Sequence, residues 1–283
     1  MPMLSIEQHI ERHAQNAPER VAMVLNGEEL TYGELRQRTM LRAQHYQGMQ
    51  RKGVVLRASC DADFLISYFA VHVAGAVAVL LPATATPEQT VRMEKSLQRF
   101  CFPEGSADVL FTTGTTGAPK GVVIGTRAIV ASAENIVHGQ AYRHGIRFVV
   151  PGQLNHLGCL SKVWATMLAG ATCCLMPKFD FNEFFSLLTS SKEKGVGAFL
   201  VPSCIRMLTK FGGKQMEDAA MKLAFIETGG DALDMPTMAE LHKQLPHTRL
   251  FNTYASTETG VVATFEFTHH QLAGCVGYAL PNA

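Results

Sequence analysis

The 283-residue chain has almost no net charge: 25 Lys and Arg stand against 24 Asp and Glu, a formal balance of +1. This excludes a broad cationic face for nucleic acid, although a local anion site needs only a few backbone N–H groups and one Lys. Cysteine is scarce and unpatterned. Its seven copies, at 60, 101, 159, 173, 174, 204 and 275, form no Cys-x-x-Cys pair. Neither a disulfide framework nor a zinc site is expected; reduced thiols in a cytoplasmic protein are. The first twenty residues lack a basic stretch followed by an apolar one, so no secretory leader is expected. Long hydrophobic runs are missing too, with one exception. Phe64 to Leu81 is 18 residues without Asp, Glu, Lys or Arg, the length at which a membrane span enters consideration. His72 and Gly75 interrupt it and its character changes at Gly75, so the expectation is a buried helix followed by a short buried strand, with no membrane span.

What is present is an alternation of helical and strand patterns. Ser5 is placed to cap a helix carrying Ile6 and Ile10. Val21–Leu25 and Glu28–Leu30 flank the turn pair Asn26–Gly27 as a hairpin. Thr31 and Glu34 form a capping box for a helix running to about Gln50. A strand follows Gly53, and Pro82 to Gly105 reads as a polar connector with one helix near 88–98. Beyond it, strands are expected at 108–113, 121–124, 147–150, 171–176, 198–201, 223–227 and 250–254. Helices are expected from a cap at Thr126 to about His138, then at 160–169, 182–194, 203–211 and 235–244. Short apolar strands alternating with helices imply an α/β fold of mostly parallel sheets, covered by helices on both faces. One domain over 1–283 is expected, with lobes at 1–105 and 106–283. His9 and His13 read as a solvated helix face. The neighbours Cys173–Cys174 and His269–His270 would point to opposite faces of a strand, a poor chelate.

The densest chemistry lies in Phe111-Thr-Thr-Gly-Thr-Thr-Gly-Ala-Pro-Lys-Gly121. Gly114 and Gly117 let the backbone approach a ligand. The hydroxyls of Thr112, Thr113, Thr115 and Thr116 and the exposed N–H groups supply donors to phosphate oxygens, and Lys120 supplies a point charge. A Walker A loop is excluded, because Gly121 rather than Ser or Thr follows the Lys. On composition alone a flexible Thr/Gly surface loop is an equal reading.

Position by position, this segment resembles the phosphate-binding signature of the adenylate-forming superfamily, which comprises acyl- and aryl-CoA synthetases, peptide-synthetase adenylation domains and luciferases. Only Thr113 departs, where Ser is common. Three more segments follow in the family's order. Gln153–Gly158 resembles the stretch carrying a His beside the acyl substrate, at His156 here. Ile226–Leu233 resembles the turn whose glycines, Gly229 and Gly230, lie along adenine, with Asp231 near the next helix start. Asn252–Gly260 resembles the adenine and metal motif. The resemblance implies that Asn252 bonds the adenine amino group, Tyr254 stacks on the ring, Thr257 contacts the α-phosphate and Glu258 ligates Mg²⁺. Ala255 stands where Gly is usual and adds a methyl group near the ligand.

By that resemblance the chain corresponds to a large N-terminal domain, shortened at 83–107. It stops before the family's ribose-binding Asp, hinge and small C-terminal domain with a catalytic Lys. The implied activity is ATP- and Mg²⁺-dependent conversion of a small carboxylic acid to acyl-AMP, for transfer to coenzyme A or a carrier-protein phosphopantetheine. A carrier protein or a separate C-terminal domain is the implied partner. The other reading is a non-catalytic nucleotide- or acyl-adenylate-binding protein. Amino-acid-activating relatives place an Asp near residues 154–157. No carboxylate occurs between Pro151 and Lys178 here, so an aryl or aliphatic acid is expected.

Overall fold

The computed structural model describes residues 3–112, 120–140, 142, 145–190, 195–268 and 275–283. Its elements run α1 (Ile6–Asn16), β1 (Val21–Leu25), β2 (Glu28–Thr31), α2 (Tyr32–Ala43), β3 (Gly53–Ala58), α3 (Ala62–Val73), β4 (Val77–Pro82), α4 (Pro87–Leu97), β5 (Ser106–Thr112), β6 (Lys120–Gly125), α5 (Thr126–Gly139) and β7 (Arg147–Pro151). They continue with α6 (Leu157–Ala169), β8 (Thr172–Met176), α7 (Phe181–Ser190), β9 (Val196–Phe199), α8 (Pro202–Phe211), α9 (Gly213–Ala220), β10 (Leu223–Gly229), α10 (Met235–Gln244), β11 (Arg249–Ser256), β12 (Gly260–Glu266) and β13 (Tyr278–Ala279).

Local chemistry fixes many of these boundaries. Ser5 with Gln8, Thr31 with Glu34, and Thr86 with Gln89 each form a reciprocal capping box. The second helix stops at Ala43, short of the expected Gln50, because the chain turns into a 3₁₀ turn at Gln44–Tyr46 and then takes positive φ at Gly48. Thr126 does not cap α5. Its N–H donates to the Gly105 carbonyl, and Gly125 occupies the cap position against that same turn. Asp234, not Asp231, caps α10 through the Thr237 N–H at 2.9 Å.

Two sheets result. The larger has the order β13-β12-β11-β10-β9-β7-β8-β1-β2, and the smaller β3-β4-β5-β6. The run from β11 to β1 is parallel, while β2, β12 and β13 add antiparallel edges. In the smaller sheet only β5–β6 is antiparallel. Strand alternation divides the core. Cys173, Phe148 and Val150 face one cluster with Ala78, Leu80 and Trp164, while Cys174 and Val149 face a second beneath α7, α8 and α10. Val77 and Val79 face a third, under α4. The adjacent cysteines therefore point apart, as expected. Among the described residues no helix is long and apolar enough to cross a membrane.

His72, the polar interruption of the long apolar run, anchors a buried network. Its ring bridges Glu7 at 2.8 Å and Asp108 at 2.9 Å, and Asp108 also accepts from the Tyr68 hydroxyl, which accepts from Trp164 Nε1. Burial disfavours the charged imidazole, but Asp108 and Glu7 outweigh it and raise its pKa to about 10. The raised folded pKa makes this contribution complete below the ordinary 6.5, and it is lost as pH rises through 10. His72→Leu is expected to cost about 3–5 kcal/mol near neutrality, because two carboxylates lose their counter-charge. The deficit against the unmodified chain should narrow between pH 6.5 and 10 in urea titrations; a constant deficit would reject the ion-pair account.

Candidate functional site

Strand order decides where a ligand fits. The chain leaves β7 for β8 on one side, then returns to β9 on β7's other side. A crevice opens outside the carboxyl ends of parallel strands where their order reverses in this way. Here it is a cavity of about 640 Å³. Its walls come from the turn after β7 (Gly152, Gln153, His156), from α6 (Cys159, Lys162), from Phe199 at the end of β9 and Val201 at the N-cap of α8, and from the ends of β10 and β11. A second cavity of about 470 Å³ adjoins it and is lined by Asp231, Leu233, Asn252, Tyr254 and Val276. Gly230, Thr253 and Ala255 border both.

The structure thus brings eight of the expected residues, His156, Gly229, Gly230, Asp231, Asn252, Tyr254, Ala255 and Thr257, to one edge. His156 is exposed at the rim, in the N-cap position of α6, with no side-chain capping bond. Gly229 and Thr257 line the larger cavity; Asp231, Asn252 and Tyr254 line the smaller, with Tyr254 half exposed. The Asp231 carboxylate accepts from the Ala232 N–H at 2.8 Å. Glu258 is exposed on the tight turn between β11 and β12, which Ser256 and Thr259 tie through their hydroxyls at 3.0 Å. Thr112 and Lys120 face each other in register at the ends of β5 and β6, Thr112 half-buried and Lys120 exposed. Thr113, Gly114, Thr115, Thr116 and Gly117 lie outside the described residues, and so does the expected approach of that loop to Glu258.

Close backbone approach explains one glycine. A Cβ on Gly229 would meet the Thr253 carbonyl oxygen at 2.7 Å, across the β10–β11 pairing. Gly229→Ala must spread the strands that border both cavities. We expect a stability loss of about 1–3 kcal/mol by thermal denaturation.

Two residues here escape sequence reading. Lys162 on α6 and Glu227 on β10 line the larger cavity and form an ion pair with each other, at 1% and 0% exposure. Lys162 also sits over the Phe199 ring, 5.1 Å from its centroid. No carboxylate is present in 151–178, yet the cavity acquires one from a distant strand. Cys159, beside Lys162, is not a candidate nucleophile: burial pushes its thiol up to about 12. Among the described residues no group of three or more His, Cys, Asp or Glu is arranged to hold a metal. A lone exposed carboxylate, Glu258, does suit Mg²⁺, which takes one or two carboxylates together with substrate phosphates.

Known proteins resemble this chain in sequence and fold. The family model described as AMP-binding enzyme covers residues 101–283. The mitochondrial malonate–CoA ligase of Mus musculus is 26% identical over 72% of this chain and 37% of its own length. Indoleacetate–CoA ligase of Aromatoleum aromaticum is 29% identical over 64% of this chain and 35% of its own length. The chain therefore spans about a third of the length of these curated relatives. The N-terminal domain of FACL13 from Mycobacterium tuberculosis superposes with a TM-score of 0.82 at 19% identity, over 99% of this chain and 83% of that domain. This shows the fold: an α/β N-terminal domain of the adenylate-forming type.

Proposed function

The chain belongs to the AMP-binding enzyme family, and on that premise we propose that it activates a carboxylic acid as acyl-AMP. The acid's carboxylate oxygen attacks the α-phosphorus of ATP, the bond to the bridging oxygen breaks, and pyrophosphate leaves. The observation that carries this reading is the pair of adjoining cavities that meet at Gly230, Thr253 and Ala255. One has a half-exposed aromatic face and an amide, Tyr254 and Asn252, suited to a purine. The other has apolar and aromatic walls suited to an organic acid.

In this reading residues 1–283 act as one domain, with the lobes 1–105 and 106–283 contributing strands to both sheets. Thr112 to Gly117 and Lys120 hold the phosphates. Gly229, Gly230 and Asp231 border the base, Thr257 orients the α-phosphate, and His156 lies by the carboxylate. Glu258 would hold Mg²⁺, which neutralises phosphate charge when bound. Catalysis is by positioning and electrostatics. Coenzyme A or a carrier-protein phosphopantetheine is the proposed acceptor, reached with the help of a C-terminal domain or partner.

Acid-dependent ATP–pyrophosphate exchange tests this across aryl, aliphatic and amino acids, with and without a C-terminal domain supplied in trans. Exchange with aryl or aliphatic acids is expected. Exchange with amino acids alone would overturn the acid preference. ATP binding without exchange under either condition would make the chain a nucleotide binder.

A further inference from the structure

The smaller sheet ends in an unprotected strand. β3 is its outer member and pairs with β4 alone among the described residues. The Lys52 carbonyl accepts from the Val77 N–H at 2.9 Å, at the head of an unbroken parallel register. Successive residues of a strand turn their backbone groups to opposite sides. Val54, Leu56 and Ala58 therefore follow Lys52 and face β4, while Gly53, Val55 and Arg57 face outward. Of these outward groups, only the Arg57 carbonyl has a partner among the described residues, the Ser59 N–H at 2.8 Å. Native sheets commonly blunt such an edge with charge, proline, a bulge or brevity. β2 carries Glu28 and Glu29, and β13 is two residues long. β3 has six residues, no proline, no bulge and one charge, Arg57.

The helix beneath this strand is equally unfinished. α4 joins β4 to its neighbour β5, yet it packs under β3, on the far side of β4. No described strand stands beyond β3, and no residue of α4 is fully buried. Met93 and Leu97 reach Val55 and the third core cluster, but Val91 is 46% exposed and Phe100, just past the helix, 48%. Single exposed apolar residues need no explanation. Beside an open edge they extend it into an apolar strip.

The edge fits its own reverse. Antiparallel pairing sets outward-facing residues opposite one another. With Val55 opposite Val55 on a two-fold axis, Gly53 meets Arg57 of a second copy, and every outward N–H finds a carbonyl. Val54 then meets Leu56, and both belong to the face packed against the main core cluster. Lys52 meets Ala58, so no charge stands directly opposite its like. Arg57 meets a glycine, which has no side chain to obstruct it. An axis normal to the sheet keeps both copies of α4 on one face and brings their exposed Val91 and Phe100 together. Parallel pairing of copies would not close and would build filaments instead. We propose that the chain forms a two-fold dimer through β3, joining two four-stranded sheets into one. None of these residues lines either cavity of the candidate site, so the dimer stands apart from the proposed activity.

The test is the oligomeric state of the full chain. Light scattering behind gel filtration should give twice 30.9 kDa. A chain concentration of about 100 μM suffices, since it would fill a complex of micromolar affinity. Arg57→Pro removes one inter-copy donor from each copy and no bond to β4, because proline is tolerated where a strand N–H faces outward. The loss of two hydrogen bonds should weaken the dimer by about 10-fold or more in sedimentation velocity. Val91→Glu/Phe100→Glu leaves the edge intact and places like charges across the axis; it should weaken the dimer by about as much. Urea titration checks that each variant folds, and should the proline variant fail, the α4 variant decides. Amide exchange read at single residues reports the register. Gly53, Val55 and Arg57 should exchange about 10-fold more slowly in concentrated than in dilute chain, because pairing protects them. Val54 and Leu56, already bonded to β4, should exchange alike in both. A monomer at the higher concentration overturns the proposal. So does a dimer that the folded variants leave intact, or one whose slowed amides lie outside β3.

Discussion

Lys162→Met is expected to lower the free energy of unfolding by about 3–5 kcal/mol, the usual cost of removing one partner of a buried ion pair. The reason lies in what remains. Glu227 is 0% exposed, and without Lys162 neither of its oxygens has a partner among the described residues. The lost attraction is the smaller part of the effect; the stranded carboxylate is the larger. The double replacement Lys162→Met/Glu227→Leu should therefore return stability to that of the unmodified chain or above it, since apolar pairs of similar volume commonly match a buried ion pair. The exposed pair Arg36–Glu11, at 46% and 34% side-chain exposure, is the control. Breaking it should cost about 0–1 kcal/mol. Urea titrations of the four proteins give the comparison. A single variant as stable as the double would show that Glu227 finds another partner or a proton, and would dismiss the pair as a structural element.

That pair also marks where sequence reading stops. Elements governed by local chemistry are legible. The capping boxes at Ser5 and Thr31, the Asn26–Gly27 hairpin and the helix-to-strand change at Gly75 all form as their residues suggest. Segments whose stabilisation comes from elsewhere are harder. α9 buries only Met216 and Ala219, so its pattern is faint. β12 depends on antiparallel pairing with β11 across the turn at 256–259. The four motif segments announce a site, and the fold brings those described at 153–158, 226–233 and 252–257 to one edge. Lys162 and Glu227 are 65 positions apart, each inside an apolar element. A signal existed: a Lys amid Leu160, Val163 and Trp164 must find a counter-charge or leave the core. Pattern alone does not name the partner. His72 with Glu7 and Asp108 repeats the lesson, with its partners 65 and 36 positions away.

Lys120→Ala should reduce acid-dependent pyrophosphate exchange by about 100- to 1,000-fold, the scale seen when a preorganised donor to developing charge is removed. Stability should barely change. Lys120 is exposed at the first position of β6, so its truncation is expected to shift unfolding by no more than roughly 0.5 kcal/mol. The contrast with Lys162 is the useful one: the same residue type holds the core in one place and leaves it indifferent in the other, because one is buried against a carboxylate and the other faces solvent at the mouth of the Thr/Gly loop. Lys120→Arg should recover part of the rate, since the charge returns but on a wider, planar head group. Glu258→Gln on its own should also slow exchange, by weakening the hold on Mg²⁺. If Lys120 and Glu258 act on one phosphate chain, their effects cannot be independent, and the double variant should lose less than the product of the single losses. Exact multiplication would place the two on separate events. Unchanged exchange in Lys120→Ala would remove the loop from the chemistry altogether.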